Sequence, residues 1–281
     1  CTEYSKDCKL GLAGINATTT DSLVTIKIEP TTYVGDRYDY TRIRLYYDAK
    51  PDGFSITLTP SDSGIAQTMS NHEGVIEWQL SEPVNTFTIS VARTDSVPLI
   101  FTIQGLALET DDPGIIYHSV GVNGAEVLSW LRCKQISREV ESLSPDLIIL
   151  SLGTNDAYGR TFNAEYFKNN YQSLINNIRK FSPDVPVLLT TAGDKFHGRY
   201  MNTYNAILRN AIFDLAKQNN YCVWDFYSVM GGLGSMNSWY KNGLATKDKV
   251  HLTRNGYYLQ GDLFFEAFVN AYNDQLNRHH R

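Results

Sequence analysis

Three short stretches of the sequence hold residue types that together could carry out acyl transfer. Gly153-Thr154-Asn155-Asp156 closes the apolar run Asp146 to Leu152, so the carboxamide of Asn155 is delivered at a strand's carboxyl end. In open α/β sheets that edge is where ligands bind. Ser119 to Ala125 joins a predicted strand to a predicted helix, and its glycines let the backbone N–H of Gly124 approach a ligand closely. Asp248-Lys249-Val250-His251 sets a carboxylate and an imidazole three residues apart, so that Asp248 can accept from Nδ1 and leave Nε2 of His251 free as a base. A backbone donor, an amide donor and an oriented imidazole are three parts of an acyl-transfer site. Each stretch also has a plainer reading, with Gly-Thr-Asn-Asp as a turn, Asp248 as a helix cap and His251 as a surface side chain. Their common order, each behind a predicted strand, favours chemistry.

Two kinds of element surround these stretches. From about Leu12 to Leu108 the chain alternates apolar and polar residues in short segments: Leu23–Ile28, Thr41–Tyr47, Phe54–Thr59, Val75–Leu80, Thr86–Val91 and Leu99–Ile103. Turn signals such as Pro51-Asp52-Gly53 and Glu73-Gly74 separate them. The period of two without a helical stretch predicts a β-sandwich or jelly roll over residues 1–110. After Asp111-Asp112-Pro113-Gly114, strands alternate with amphipathic segments. Strands are expected at Ile115–His118, Asp146–Leu152, Val185–Thr191 and Tyr221–Trp224. Helices are expected at Glu126–Ser142, Ala164–Phe181, Tyr200–Asn219 and Gly256–Leu276. Such β-α-β units predict an α/β domain over residues 111–281, a parallel sheet with helices on both faces.

Composition narrows the function classes. With 25 Lys and Arg against 30 Asp and Glu, and no block of like charges, nucleic acid and anionic membranes are not expected partners. Cys1, Cys8, Cys133 and Cys222 have no metal-ligand spacing and the six histidines form no cluster, so neither a metal nor a cofactor is expected. Cys1 and Cys8 are near enough in sequence for a disulfide in an oxidising compartment, whereas Cys133 and Cys222 read as buried small hydrophobes. No apolar run reaches the length of a membrane span. The chain is either cytosolic or already relieved of a targeting segment.

Gly121-Val122-Asn123-Gly124, Gly153-Thr154-Asn155-Asp156 and Asp248-Lys249-Val250-His251 resemble the second, third and fifth blocks of the SGNH, or GDSL-type, hydrolases. The resemblance runs from about Gly114 to the C-terminus. It implies a flavodoxin-like sheet and a serine esterase in which Gly124 and Asn155 build the oxyanion hole while Asp248 and His251 complete the triad. Thr110 to Gly124, Met230-Gly231-Gly232 and the Asp-x-x-His ending resemble the members with an inserted β-sandwich, which include bacterial peptidoglycan O-acetylesterases. That implies an acetylated carbohydrate or other ester as substrate and an extracytoplasmic location. The family's first block, Gly-Asp-Ser, is missing: Gly193-Asp194-Lys195 and Gly261-Asp262-Leu263 share only its first two residues. The nucleophile is therefore expected outside this chain, on an upstream segment of the same protein that was removed, split off as a fragment or not included. Ser119, Ser151 and Ser235 are better read as turn, strand and capping residues. A carbohydrate-binding protein on a degenerate scaffold is the alternative from another class, and a lipase or thioesterase is the alternative within the fold.

Overall fold

The computed structural model describes residues 10–29, 39–49, 52–62, 64–72, 74–159 and 161–279. Cys1 and Cys8 lie outside the described residues. The chain forms two compact units, residues 1–123 with 132–143, and residues 124–131 with 144–281.

The first unit is a sandwich of two antiparallel sheets. Strands β1 (Ala17–Thr19), β2 (Leu23–Ile28), β3 (Tyr40–Ala49), β4 (Phe54–Pro60), β5 (Gln67–His72), β6 (Val75–Val84), β7 (Phe87–Arg93) and β8 (Phe101–Glu109) build it. One sheet has the order β1-β8-β3-β6-β5, the other β2-β7-β4. Alternate residues of each sheet meet in one core: Ile43, Leu45, Ile76 and Trp78 face Leu58, Phe87, Ile89 and Val91. The sequence pattern found the six strands that contribute to this core. It missed β1 and β5, edge strands with little or no buried face; all six residues of β5 are exposed, so no alternation marks it.

Helix α1 (Val127–Leu131) belongs to the second unit and α2 (Ile136–Leu143) to the first, so the single helix expected over Glu126–Ser142 is two. The break falls where Gln135 N donates to Leu10 O and Ile136 N to Cys133 O, bonds that a continuous helix would not make. Residues 115–118, expected as a strand, have no strand pairing among the described residues, and Ile115 and Tyr117 are exposed. A strand exists only against a partner, which local sequence cannot supply. His118 instead sets Nε2 3.2 Å from Oε1 of the buried Glu109, which also receives Arg44 Nη1 at 2.6 Å.

The second unit is built on a three-stranded parallel sheet of order β13-β10-β9, formed by β9 (Ile148–Leu150), β10 (Val187–Thr190) and β13 (Cys222–Trp224). The run leading to Gly153, read as a strand buried on both faces, is in fact an edge: among the described residues β9 pairs only with β10, and Ile149 is 36% exposed. A short antiparallel hairpin, β11 (Phe196–His197) and β12 (Tyr200–Met201), follows β10. Helix α3 (Ala164–Ile178) starts at Asn163, whose side chain accepts from Tyr166 N. It buries Phe167, Tyr171, Leu174, Ile175 and Ile178 at helical spacing. Helix α4 (Tyr204–Asn219) stops at Asn220 in the left-handed conformation. Two short helices, α5 (Phe226–Met230) and α6 (Ser235–Lys241), flank the glycine-rich loop 231–234, and α7 (Arg254–His279) closes the unit. Phe196, Trp224, Phe226, Met236, Trp239 and Leu252 form a core beneath the last turn before α7.

Candidate active site

All four residues singled out by sequence, Gly124, Asn155, Asp248 and His251, fall in the second unit. Asn155 sits in the turn after β9. Gly153 begins that turn with φ +115°, and a Cβ there would lie 2.9 Å from both Cδ atoms of the fully buried Leu208. Glycine thus lets the turn lie directly on α4.

The turn reaches back to the loop before α1. Asn155 Nδ2 donates to Ala125 O at 2.9 Å, and Asp156 Oδ1 accepts from Val127 N at 3.1 Å. One of the two amide hydrogens of Asn155 is spent on this tether, leaving the other for a ligand. Gly124 is exposed one residue before the tether, with φ +76° and open space beside its Cα. The structure therefore brings the Gly124 loop and the Asn155 turn together. Asp156 holds the turn through its bond from Val127 N. Burial raises its carboxyl to about 6, against the pull of the Val127 N–H.

Asp248 and His251 lie in the turn before α7. Asp248 Oδ2 lies 2.8 Å from His251 Nδ1, and Oδ1 accepts from Val250 N, His251 N and Thr246 Oγ1 at 2.9, 3.1 and 2.5 Å. Partial burial works to raise the Asp248 carboxyl, but the bonds from Thr246, His251 and Val250 outweigh it and hold it well below the usual carboxylate range. The carboxylate stays ionised and fixes the ring, whose side chain is 69% exposed. With Nδ1–H directed at Asp248, Nε2 is the basic nitrogen.

Lys249, between them, adopts the left-handed conformation at φ +54°. A non-glycine residue there costs about 1–2 kcal/mol, and its surroundings hold it in place. Lys249 N donates to Thr246 O, its carbonyl accepts from Phe196 N, and Nζ reaches Asn237 Oδ1 at 2.8 Å above the Phe196 ring. Thr246 and Lys249 carried no sequence signal, because their roles depend on partners distant in the chain or on backbone shape.

Among the described residues neither Ser151 nor Ser235 is hydrogen-bonded to His251. Ser119 is exposed, Ser151 Oγ accepts from Thr190 Oγ1 at 2.8 Å, and Ser235 Oγ is buried without a hydrogen bond among the described residues. Among the described residues no group of three or more His, Cys, Asp or Glu could hold a metal, and no helix is long and apolar enough to cross a membrane. A cavity of about 250 Å³ lies beside the Asn155 turn, lined by Glu126, Asp156, Phe162, Asn163 and Tyr166 among others.

The sequence profile of the GDSL-like lipase/acylhydrolase family matches residues 103–259, more than half of the chain. No curated protein matches the chain significantly. Among solved structures, a peptidoglycan O-acetylesterase superposes with a TM-score of 0.75 at 20% identity, covering 98% of this chain and 75% of its own. A lipase/acylhydrolase from Enterococcus faecalis matches with a TM-score of 0.41 at 23% identity, over 51% of this chain and 70% of its own. An acetyl xylan esterase matches with a TM-score of 0.42 at 25% identity, over 53% of this chain and 78% of its own.

Proposed function

Since the chain belongs to the GDSL-like lipase/acylhydrolase family, we propose that it is the base-and-oxyanion part of a serine esterase that removes O-acetyl groups from carbohydrate outside the cytoplasm. The observation that carries this reading is the Asp248–His251 pair at 2.8 Å with its imidazole open to solvent. In the reaction, His251 Nε2 takes the proton of a serine hydroxyl as Oγ bonds to the acyl carbon. The carbonyl oxygen becomes an oxyanion, held by Gly124 N–H and the free hydrogen of Asn155 Nδ2. As the tetrahedral centre collapses, the sugar oxygen leaves with the proton from His251. Water, deprotonated by the same nitrogen, then releases acetate and restores the serine.

The serine comes from a strand that pairs with the open edge of β9 and completes the sheet in the flavodoxin-like manner. Two uncovered apolar surfaces support this: the exposed Ile149 on β9, and Tyr258, Phe265 and Tyr272 along α7. Their seven-residue spacing puts the three α7 rings on one face. An exposed edge with apolar side chains calls for a partner. The carbohydrate reading rests on the peptidoglycan O-acetylesterase of like fold and on the cavity beside Asn155. There, Glu126 and Asp156 offer acceptors for hydroxyls, and Phe162 and Tyr166 offer ring faces.

Mass measurement under native and denaturing conditions tests the source of the nucleophile, followed by fluorophosphonate labelling. A second, labelled fragment containing Gly-Asp-Ser, together with aryl-acetate hydrolysis abolished by His251→Ala, is the expected result. Turnover undiminished in His251→Ala would sink the assignment. Retention on acetylated glycans without labelling or turnover would favour the non-catalytic binding protein, for which the missing Gly-Asp-Ser speaks. A preference for long acyl chains would move the reading to a lipase or thioesterase.

A further inference from the structure

The Asn155 turn and the Asp248–His251 turn are far apart in sequence, yet one segment holds both. Lys195, 1% exposed, donates from Nζ to Thr154 O at 2.6 Å. The next residue, Phe196, donates its N–H to Lys249 O at 2.9 Å and lies beneath the Lys249 ammonium. Farther along the hairpin, His197 Nδ1 is 2.6 Å from Tyr158 O, and Asn202 Nδ2 donates to Ala157 O at 2.7 Å. Adjacent residues thus grip the two turns that carry the oxyanion donor and the base.

A buried ammonium is an expensive way to fill space, since methionine has nearly the same length without the desolvation cost. The groups that act on this one are Asp156, from the turn after β9, and Asp194 on its own segment. Asp194 Oδ2 accepts from Gly234 N and Met236 N at the start of α6, and Glu126 in turn acts on Asp156. We infer that Lys195 is a positioning residue of the candidate site: its ammonium fixes the Thr154 carbonyl, and with it the peptide that presents Asn155 to the oxyanion. The inference deepens the esterase reading and rests on it for its catalytic consequence. Burial brings the Lys195 amine down to about 8, opposed by Asp156 and Asp194, so the ammonium loses its proton within an accessible pH range.

The test compares the intact protein with its Lys195→Met variant. With aryl acetate at pH 7, the variant should lose about 10²-fold in kcat, the scale for a catalytic group misplaced by an ångström, with KM unchanged. The wild-type kcat should fall as pH rises through the titration of Lys195, and that alkaline limb should be absent in the variant. Carbon-detected NMR of the Thr154 carbonyl and the Asn155 carboxamide gives a readout free of activity. Both carbons should shift in the wild type with a midpoint near the titration of Lys195, and not in Lys195→Met. A variant with wild-type kcat, or an alkaline limb that survives the substitution, would overturn the inference. If Lys195→Met does not fold, the wild-type spectrum decides alone, and carbons unmoved between pH 6.5 and 9.5 would also overturn it. If no ester is hydrolysed, the esterase reading fails while the spectrum still tests the contact.

Discussion

Glu139 gives a prediction that does not depend on catalysis. It lies on α2 in the first unit, 4% exposed, where it accepts from Leu12 N through one oxygen while the other has no hydrogen bond among the described residues. Burial, against the pull of the Leu12 N–H, raises its carboxyl from 4.5 to about 7. Between those pH values the folded chain keeps a proton that the unfolded chain has released. This contribution to stability is therefore fully present below pH 4.5, falls as pH rises, and is gone above about 7. A shift of that size corresponds to about 3 kcal/mol. Glu139→Gln mimics the protonated form and keeps an acceptor for Leu12 N. It should stabilise the first unit by about 2–3 kcal/mol at pH 8 and by no more than about 0.5 kcal/mol at pH 4.5. Urea-dependent hydrogen exchange of peptides covering Tyr40–Ala49 and Ile136–Leu143 measures this unit. An equal effect at both pH values, or none at pH 8, would refute the account of Glu139 as a buried proton carrier.

Three further predictions concern the second unit. Asp248→Asn should lower kcat on aryl acetates by about 10²–10⁴-fold with KM little changed, because the amide no longer fixes the Nδ1–H tautomer of His251; steady-state kinetics of the intact protein decide it. Asn155→Ala removes the proposed oxyanion donor and its tether to Ala125, and should cost about 10²–10³-fold in kcat, measured in the same way. Gly153→Ala must accommodate both a positive φ and a clash with Leu208, and should destabilise the second unit by about 2–4 kcal/mol in urea unfolding.

Much of this site was legible because its parts are local. An apolar run that stops at Gly-Thr-Asn-Asp, and a carboxylate three residues before an imidazole, are visible without knowing what surrounds them. The same holds for β2 and β6, whose alternation records one buried face. Failures came where a neighbour decides the structure. Residues 115–118 carry strand-like residues without a pairing partner among the described residues, and β5 is a strand only because β6 lies beside it. The helix expected from Glu126 to Ser142 has a continuous apolar side in sequence, yet its two parts serve different units.

The least legible feature is the one that ties the site together. In the sequence, Gly193-Asp194-Lys195 draws notice only as an incomplete Gly-Asp-Ser, and a lone lysine ordinarily belongs on the surface. Its significance depends on Thr154 O and Lys249 O arriving at neighbouring positions, one through β9 and the other through the turn before α7. Local motifs can name a donor and a base, but their spacing is a property of whatever packs between them. Here that element is a short hairpin with a buried charge in its first strand's approach. A family profile that spans residues 103–259 matches the stretches that hold Asn155 and His251 without fixing the distance between them. For this chain, the chemistry of Lys195 bears on that distance more directly than the motifs do.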